Sequence, residues 1–212
     1  MANPTIEELQ NSEEFEQFAE LSHSEIKEFV INQLTKKSTL ITAFMIYQFA
    51  MLVTGIFFLT RSIVLAINGI AEPLIYTISA VAFSFSFLIV IHELLHGLAL
   101  KMTGARKLSF GAYWNKFIFY AEADRHVLNR KQFELVALTP LIVVKLVTLI
   151  GIIWFIPQPA FYFFIFIMSA HSLFCAGDIG LLSIFYRNKN EAIFTYDVKS
   201  EKKSYYFKRI ST

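Results

Sequence analysis

The chain has 212 residues, 55% of them hydrophobic, with 23 Phe, a mean hydropathy of +0.51 and a formal net charge of +2. So apolar a composition excludes an ordinary soluble domain, where apolar residues make up about 45–50%, and so small a charge leaves no basic footprint for nucleic acid. The single cysteine, Cys175, excludes an internal disulfide.

An integral membrane protein is the class that remains. Residues 1–38 are polar and acidic, with eight Glu against one Lys between positions 5 and 30. They lack the basic start and apolar core of a secretory signal, so the N-terminus is expected in the cytoplasm. Phe15, Phe18, Ile26, Phe29, Val30 and Leu34 recur at helical spacing, which predicts a short helical lead. Ser22 with Glu25 forms a capping-box pattern that would start its second helix. The excess of Glu disfavours anionic lipid and favours helices packed on the rest of the protein.

Four spans follow, at about 39–60, 74–100, 132–156 and 159–186, each near the roughly 20 apolar residues a bilayer needs. Lys36 and Lys37 precede the first span. Lys101, Arg106, Lys107, Arg125, Arg130 and Lys131 separate the second from the third, and the tail, 187–212, is basic. The segments 61–73 and 156–160 carry only Arg61 and Glu72. The positive-inside rule then predicts both termini and the central loop on the cytoplasmic side of a cell membrane.

Within that loop, residues 107–122 are rich in aromatic and β-branched side chains around Asn115-Lys116, which predicts a hairpin with a two-residue turn. Both its faces are apolar, so it is expected against the membrane helices with its backbone shielded by protein. Asn129 with Gln132 reads as the cap that opens the third span. The predicted fold class is an all-α polytopic membrane protein with one membrane-associated β-hairpin and an embedded domain at 39–186.

The second span ends in IHELLHGLAL, residues 91–100. Ionisable residues inside a span are costly and mark function. Residues four apart share one face of a helix, so His92 and His96 can aim ring nitrogens at one ion, at the roughly 2.0–2.1 Å that zinc prefers. Glu93 is close enough to reach a metal-bound water, completing the HExxH arrangement of two ligands and a general base. Zinc brings the pKa of its water near neutrality, and Glu93 takes the proton as hydroxide attacks a carbonyl. It can then return that proton to the leaving amine.

A catalytic zinc site usually has three protein ligands, and His171, Asp178, Glu122, Asp124 and His126 are candidates for the third. His92 and His96 precede Lys101 by nine and five residues, and Asp178 precedes Arg187 by nine. At a helical rise of about 1.5 Å these groups share a depth, roughly 8–14 Å below the cytoplasmic border. His171 lies seven residues further in, about 10 Å deeper and too remote to share the ion. Asp178 is therefore the expected ligand. His171 and Lys145 either line a polar path or are satisfied separately, Lys145 by snorkelling. Cys175 reads as a buried apolar residue, and Glu122, Asp124 and Arg125 as a solvated hairpin exit. Thr139-Pro140 removes a helical donor and bends the third span, as a gate or a static kink. The hairpin, with Trp114, Phe117 and Glu122, offers a strand edge for an extended peptide.

These residues together resemble the site-2 protease class of intramembrane metalloproteases, and more closely a small bacterial family of zincin peptidases of unknown function. The matching pieces are HELLHG at 92–97, YAEADR at 120–125, ALTPL at 137–141 and HSLFCAGDIG at 171–180. The resemblance implies a three-helix core with His92, His96 and Asp178 as zinc ligands and Glu93 as base. Site-2 proteases carry Asn-x-x-Pro and then Leu-Asp-Gly around the third ligand; this chain has Ala-Gly-Asp-Ile at 176–179 and no preceding Asn in that span. By resemblance to the smaller family, His171 would replace that Asn in steadying substrate. The expected function is a zinc-dependent membrane peptidase acting on a membrane-associated peptide or transmembrane helix. Its surroundings would be lipid, with neither nucleic acid nor nucleotide as partner. The alternative is a non-catalytic zinc-binding membrane protein, a sensor or scaffold.

Overall fold

Long apolar runs become helices and the polar ends of the chain become sheet. The computed structural model of the protein describes residues 3–113 and 118–210. By its contacts the chain divides into two compact units, one of residues 42–92 and 140–176, the other of residues 1–41, 93–139 and 177–212.

The first unit is helical. It holds most of α3 (Thr39–Ile67), all of α4 (Glu72–Ser84), the start of α5 (Phe87–Met102), most of α6 (Arg130–Trp154) and α7 (Phe161–Phe174). α3 and α6 are each long and apolar enough to cross a membrane. α3 turns Ile46, Phe49, Ile56 and Phe57 outward, as a lipid-facing helix does. The predicted second and fourth spans are not single helices. α4 with α5, and α7 with α8 (Ala176–Arg187), qualify only as pairs, each bent by 47° at a short break, so the described residues hold two to four candidate spans.

Side-chain donors accompany both breaks. Ser86 Oγ donates to the Ala82 carbonyl at 2.6 Å, and Ser172 Oγ to the Ser169 carbonyl at 2.6 Å. Hydroxyls that bond back to the preceding turn bend helices.

The second unit corrects the all-α expectation. Strands β1 (Phe15–Ser22), β4 (Leu128–Asn129), β5 (Ile193–Val198) and β6 (Lys203–Arg209) form an antiparallel sheet in the order β1-β6-β5-β4. Residues of the basic tail thus pair with residues of the acidic lead. The segment expected to be helical from Phe15 is β1, and its i, i+3 pattern has a different cause. Gln17 pairs with Phe207 and Ala19 with Tyr206, which leaves Phe18 as a bulge. A bulge moves the residues beyond it to the other face. Phe15 therefore packs with Leu9, Tyr196 and Phe207 on one face, and Leu21 with Ile184, Phe185 and Tyr206 on the other.

The lead does contain two helices, α1 (Ile6–Asn11) and α2 (Ile26–Thr35). The expected Ser22–Glu25 box is absent: Glu25 caps α2 without a side-chain bond, and Ser22 Oγ pairs with Ser24 Oγ. A reciprocal box forms at α1 instead, between Thr5 and Glu8. The Asn129–Gln132 cap of α6 is present, each backbone N–H meeting the other's side-chain oxygen at 3.1 Å. The hairpin forms as expected, with β2 (Leu108–Tyr113) antiparallel to β3 (Ile118–Ala123). Trp114, its turn Asn115-Lys116 and Phe117 lie outside the described residues.

Candidate metal centre

The second unit holds His96 and Asp178. His96, on α5, is buried. Its Nδ1 lies 2.9 Å from the Val136 carbonyl on α6. A carbonyl only accepts, so this nitrogen carries the proton and donates. The other ring nitrogen, Nε2, stands 3.1 Å from Asp178 Oδ1. Two ligands at 2.0–2.1 Å from one tetrahedral ion are about 3.3 Å apart, so the pair fits joint ligation. Asp178 occupies the first turn of α8, where the helix dipole favours a carboxylate. A Cβ on Gly180, two residues on, would come within 2.9 Å of Val30 Cγ1 on α2, so glycine permits α2 to approach α8 at this point.

The helical unit holds His92 and His171. Both rings are buried, and His92 Nδ1 lies 3.0 Å from His171 Nε2. Cys175 Sγ lies 3.7 Å from His171 Nδ1 and donates to the His171 carbonyl at 3.4 Å. Ligand atoms of His92, His171 and Cys175 all lie within 4.8 Å of one another, so these residues too could hold a metal. His171, expected about 10 Å deeper than Asp178, thus reaches His92 but falls in no metal-capable group with His96 and Asp178 among the described residues. A depth computed from residue count assumes a straight helix, and α7 ends at Phe174 with a 47° bend before α8.

The remaining candidates resolve otherwise. Lys145 Nζ donates to the Met168 carbonyl and lies 5.5 Å over the Tyr47 ring, so it has partners of its own. Glu122 was expected in a solvated exit but is buried, accepting from Ser109 Oγ at 3.2 Å. Asp124 accepts the Lys199 backbone N–H at 3.1 Å, and His126 Nε2 meets Thr103 Oγ1 at 3.0 Å. None of the three belongs to a metal-capable group among the described residues. Near them Asp197 accepts from Ser204 Oγ at 2.6 Å. Burial pushes its carboxyl above the ordinary range, with Ser204 and His23 opposing and Glu122 and Asp124 adding to the rise. Pro140 is buried inside α6.

The contact between His92 and His171 is the part that sequence reasoning missed. It joins two helices 79 residues apart in sequence, a pairing that local spacing does not signal. The family described as "Putative zincin peptidase" matches residues 85–193, from just before α5 to the first residue of β5. No curated protein and no solved structure matches the chain.

Proposed function

The chain belongs to this zincin peptidase family, and from that premise we propose that it is a membrane-embedded zinc metallopeptidase. Its substrate would be a membrane-associated peptide or a transmembrane helix. The observation that carries the reading is the state of His96, whose Nδ1–H is spent on Val136 while Nε2 faces a carboxylate at 3.1 Å. Zinc-binding histidines usually anchor their other ring nitrogen in this way. Further support comes from His92, one turn earlier on the unbroken helix α5. Added to His96 and Asp178 as the proposed third donor, it gives two imidazoles and a carboxylate, a donor chemistry suited to zinc. Likeness to site-2 proteases rests on the residue pattern alone.

Bound there, zinc would supply Lewis-acid polarisation of the scissile carbonyl and of the attacking water. The protein residues do the rest. Glu93, adjacent to His92, takes the proton from that water and returns it to the leaving amine. With Nε2 on the metal, His92 would donate Nδ1–H to His171 Nε2, 3.0 Å away, which keeps the ring from turning. The strand edge of β2–β3 holds the substrate extended, because a helical peptide hides its carbonyls in internal hydrogen bonds. The two to four candidate spans mark a membrane protein. Its basic flanks favour both termini in the cytoplasm.

The test is zinc content beside proteolysis for the wild type and Glu93→Gln. The variant should keep its zinc and lose cleavage by about 10²–10⁴-fold, the usual worth of a general base. Unchanged cleavage would remove Glu93 from the mechanism. A wild type that binds zinc and cleaves nothing under any condition would leave the sensor or scaffold reading.

A further inference from the structure

The Thr139-Pro140 pair in α6 is unused by the chemistry above. Proline has no backbone N–H, and its ring presses against the carbonyl four residues earlier. In α6 that carbonyl belongs to Val136, which therefore has no i+4 backbone donor. The preceding carbonyl, on Leu135, has a local side-chain donor in Thr139 Oγ1 at 2.6 Å. Val136 O is the atom that accepts from His96 Nδ1, at 2.9 Å.

We infer that Pro140 is a positioning residue for the metal ligand His96. By withholding a backbone donor it keeps the Val136 carbonyl open as an acceptor, and that carbonyl fixes both the tautomer and the direction of the imidazole. An ordinary residue at 140 would return an N–H to this carbonyl and place it in competition with His96. The imidazole would then lose its anchor, and Nε2 would no longer be held toward Asp178. Buried carbonyls need a donor, so the vacancy and the histidine satisfy each other. The role is distinct from a bend or a gate, because it depends on the missing N–H rather than on the shape of the ring. The inference rests on the zinc reading of the site.

The experiment compares the full-length protein in lipid nanodiscs in three forms, with zinc affinity measured by competition against a chelator. The forms are the wild type, Pro140→Ala, and a chain with the α-hydroxy analogue of alanine at position 140, whose ester linkage has no N–H. Loss of an outer partner of a metal-bound histidine typically costs about 10–100-fold in affinity. Pro140→Ala should fall in that range, and the ester should stay close to the wild type. Wild-type affinity in Pro140→Ala overturns the inference, and so does an ester as weak as Pro140→Ala, which would assign the effect to the ring. If Pro140→Ala does not fold, the ester alone decides, with near-wild-type affinity supporting the inference and its loss overturning it. A wild type that binds no zinc is a different result, and overturns the zinc reading itself.

Discussion

Nδ1 of His92 and Nε2 of His171 lie 3.0 Å apart, so a histidine at the end of α7 braces one on α5 across 79 residues of sequence. His171→Phe keeps an aromatic of similar bulk and removes the nitrogen. Zinc affinity should fall about 10–100-fold, as for other outer partners of metal-bound histidines. A chelator titration giving wild-type affinity would separate His171 from the metal.

His92 is common to two candidate donor sets, the proposed one with His96 and Asp178 and a second with His171 and Cys175 inside the helical unit. Paired variants decide between them. Asp178→Ala should lose more affinity than the about 10–100-fold expected of an outer partner, whereas Cys175→Ala should retain its zinc. The reverse pattern in metal analysis would move the ion to the cysteine set.

Gly180 permits the approach of α2 to α8. A Cβ there would lie 2.9 Å from Val30 Cγ1 and 3.3 Å from Val30 Cβ, and Val30 is buried. Gly180→Ala should destabilise the protein by about 1–3 kcal/mol through overpacking. It should also weaken zinc binding, because Asp178 stands two residues away. Adding Val30→Ala should restore both. Thermal unfolding of the single and double variants checks this, and a neutral Gly180→Ala would show that α2 yields.

Asp197 carries a stability prediction with a definite sign. Its carboxyl is raised above the ordinary 3.8 chiefly by burial. The folded state therefore holds a proton that the unfolded state releases at lower pH. Stability from this group is greatest below the unfolded value and is lost as pH climbs toward the folded one. Asp197→Asn removes that loss and can still accept from Ser204. Its melting temperature at pH 7 should equal or exceed the wild type, by about 2–4 °C for each kcal/mol recovered. It should also vary less with pH between 4 and 7. A variant that melts lower at pH 7 would mean that the carboxylate is stabilising.

Features carried by neighbours in sequence were legible from the sequence. His92 and His96 share a face because helix geometry stacks residues four apart, and lipid demands long apolar runs whatever surrounds them. Asn129 and Gln132 cap α6 through bonds three residues apart. The pairing of β2 with β3 was signalled locally, by a run rich in aromatic and β-branched residues.

Pairing over long range was not legible. Phe15 pairs with Arg209 at the far end of the chain, and the bulge at Phe18 imitated the spacing of a helix. Glu122 has Ser109 across the hairpin and is buried where a solvated exit was expected. His171 meets His92 across 79 residues of sequence, a contact that counting residues along a span did not reveal.

The sequence by itself determined that a metal-binding pattern stands at the end of an apolar run, because a helix brings i and i+4 together without help. Only the tertiary structure decided which groups hold those rings in place. Val136, Asp178 and His171 reach them from other helices, and the bends and packing that set those approaches are not local properties of the chain.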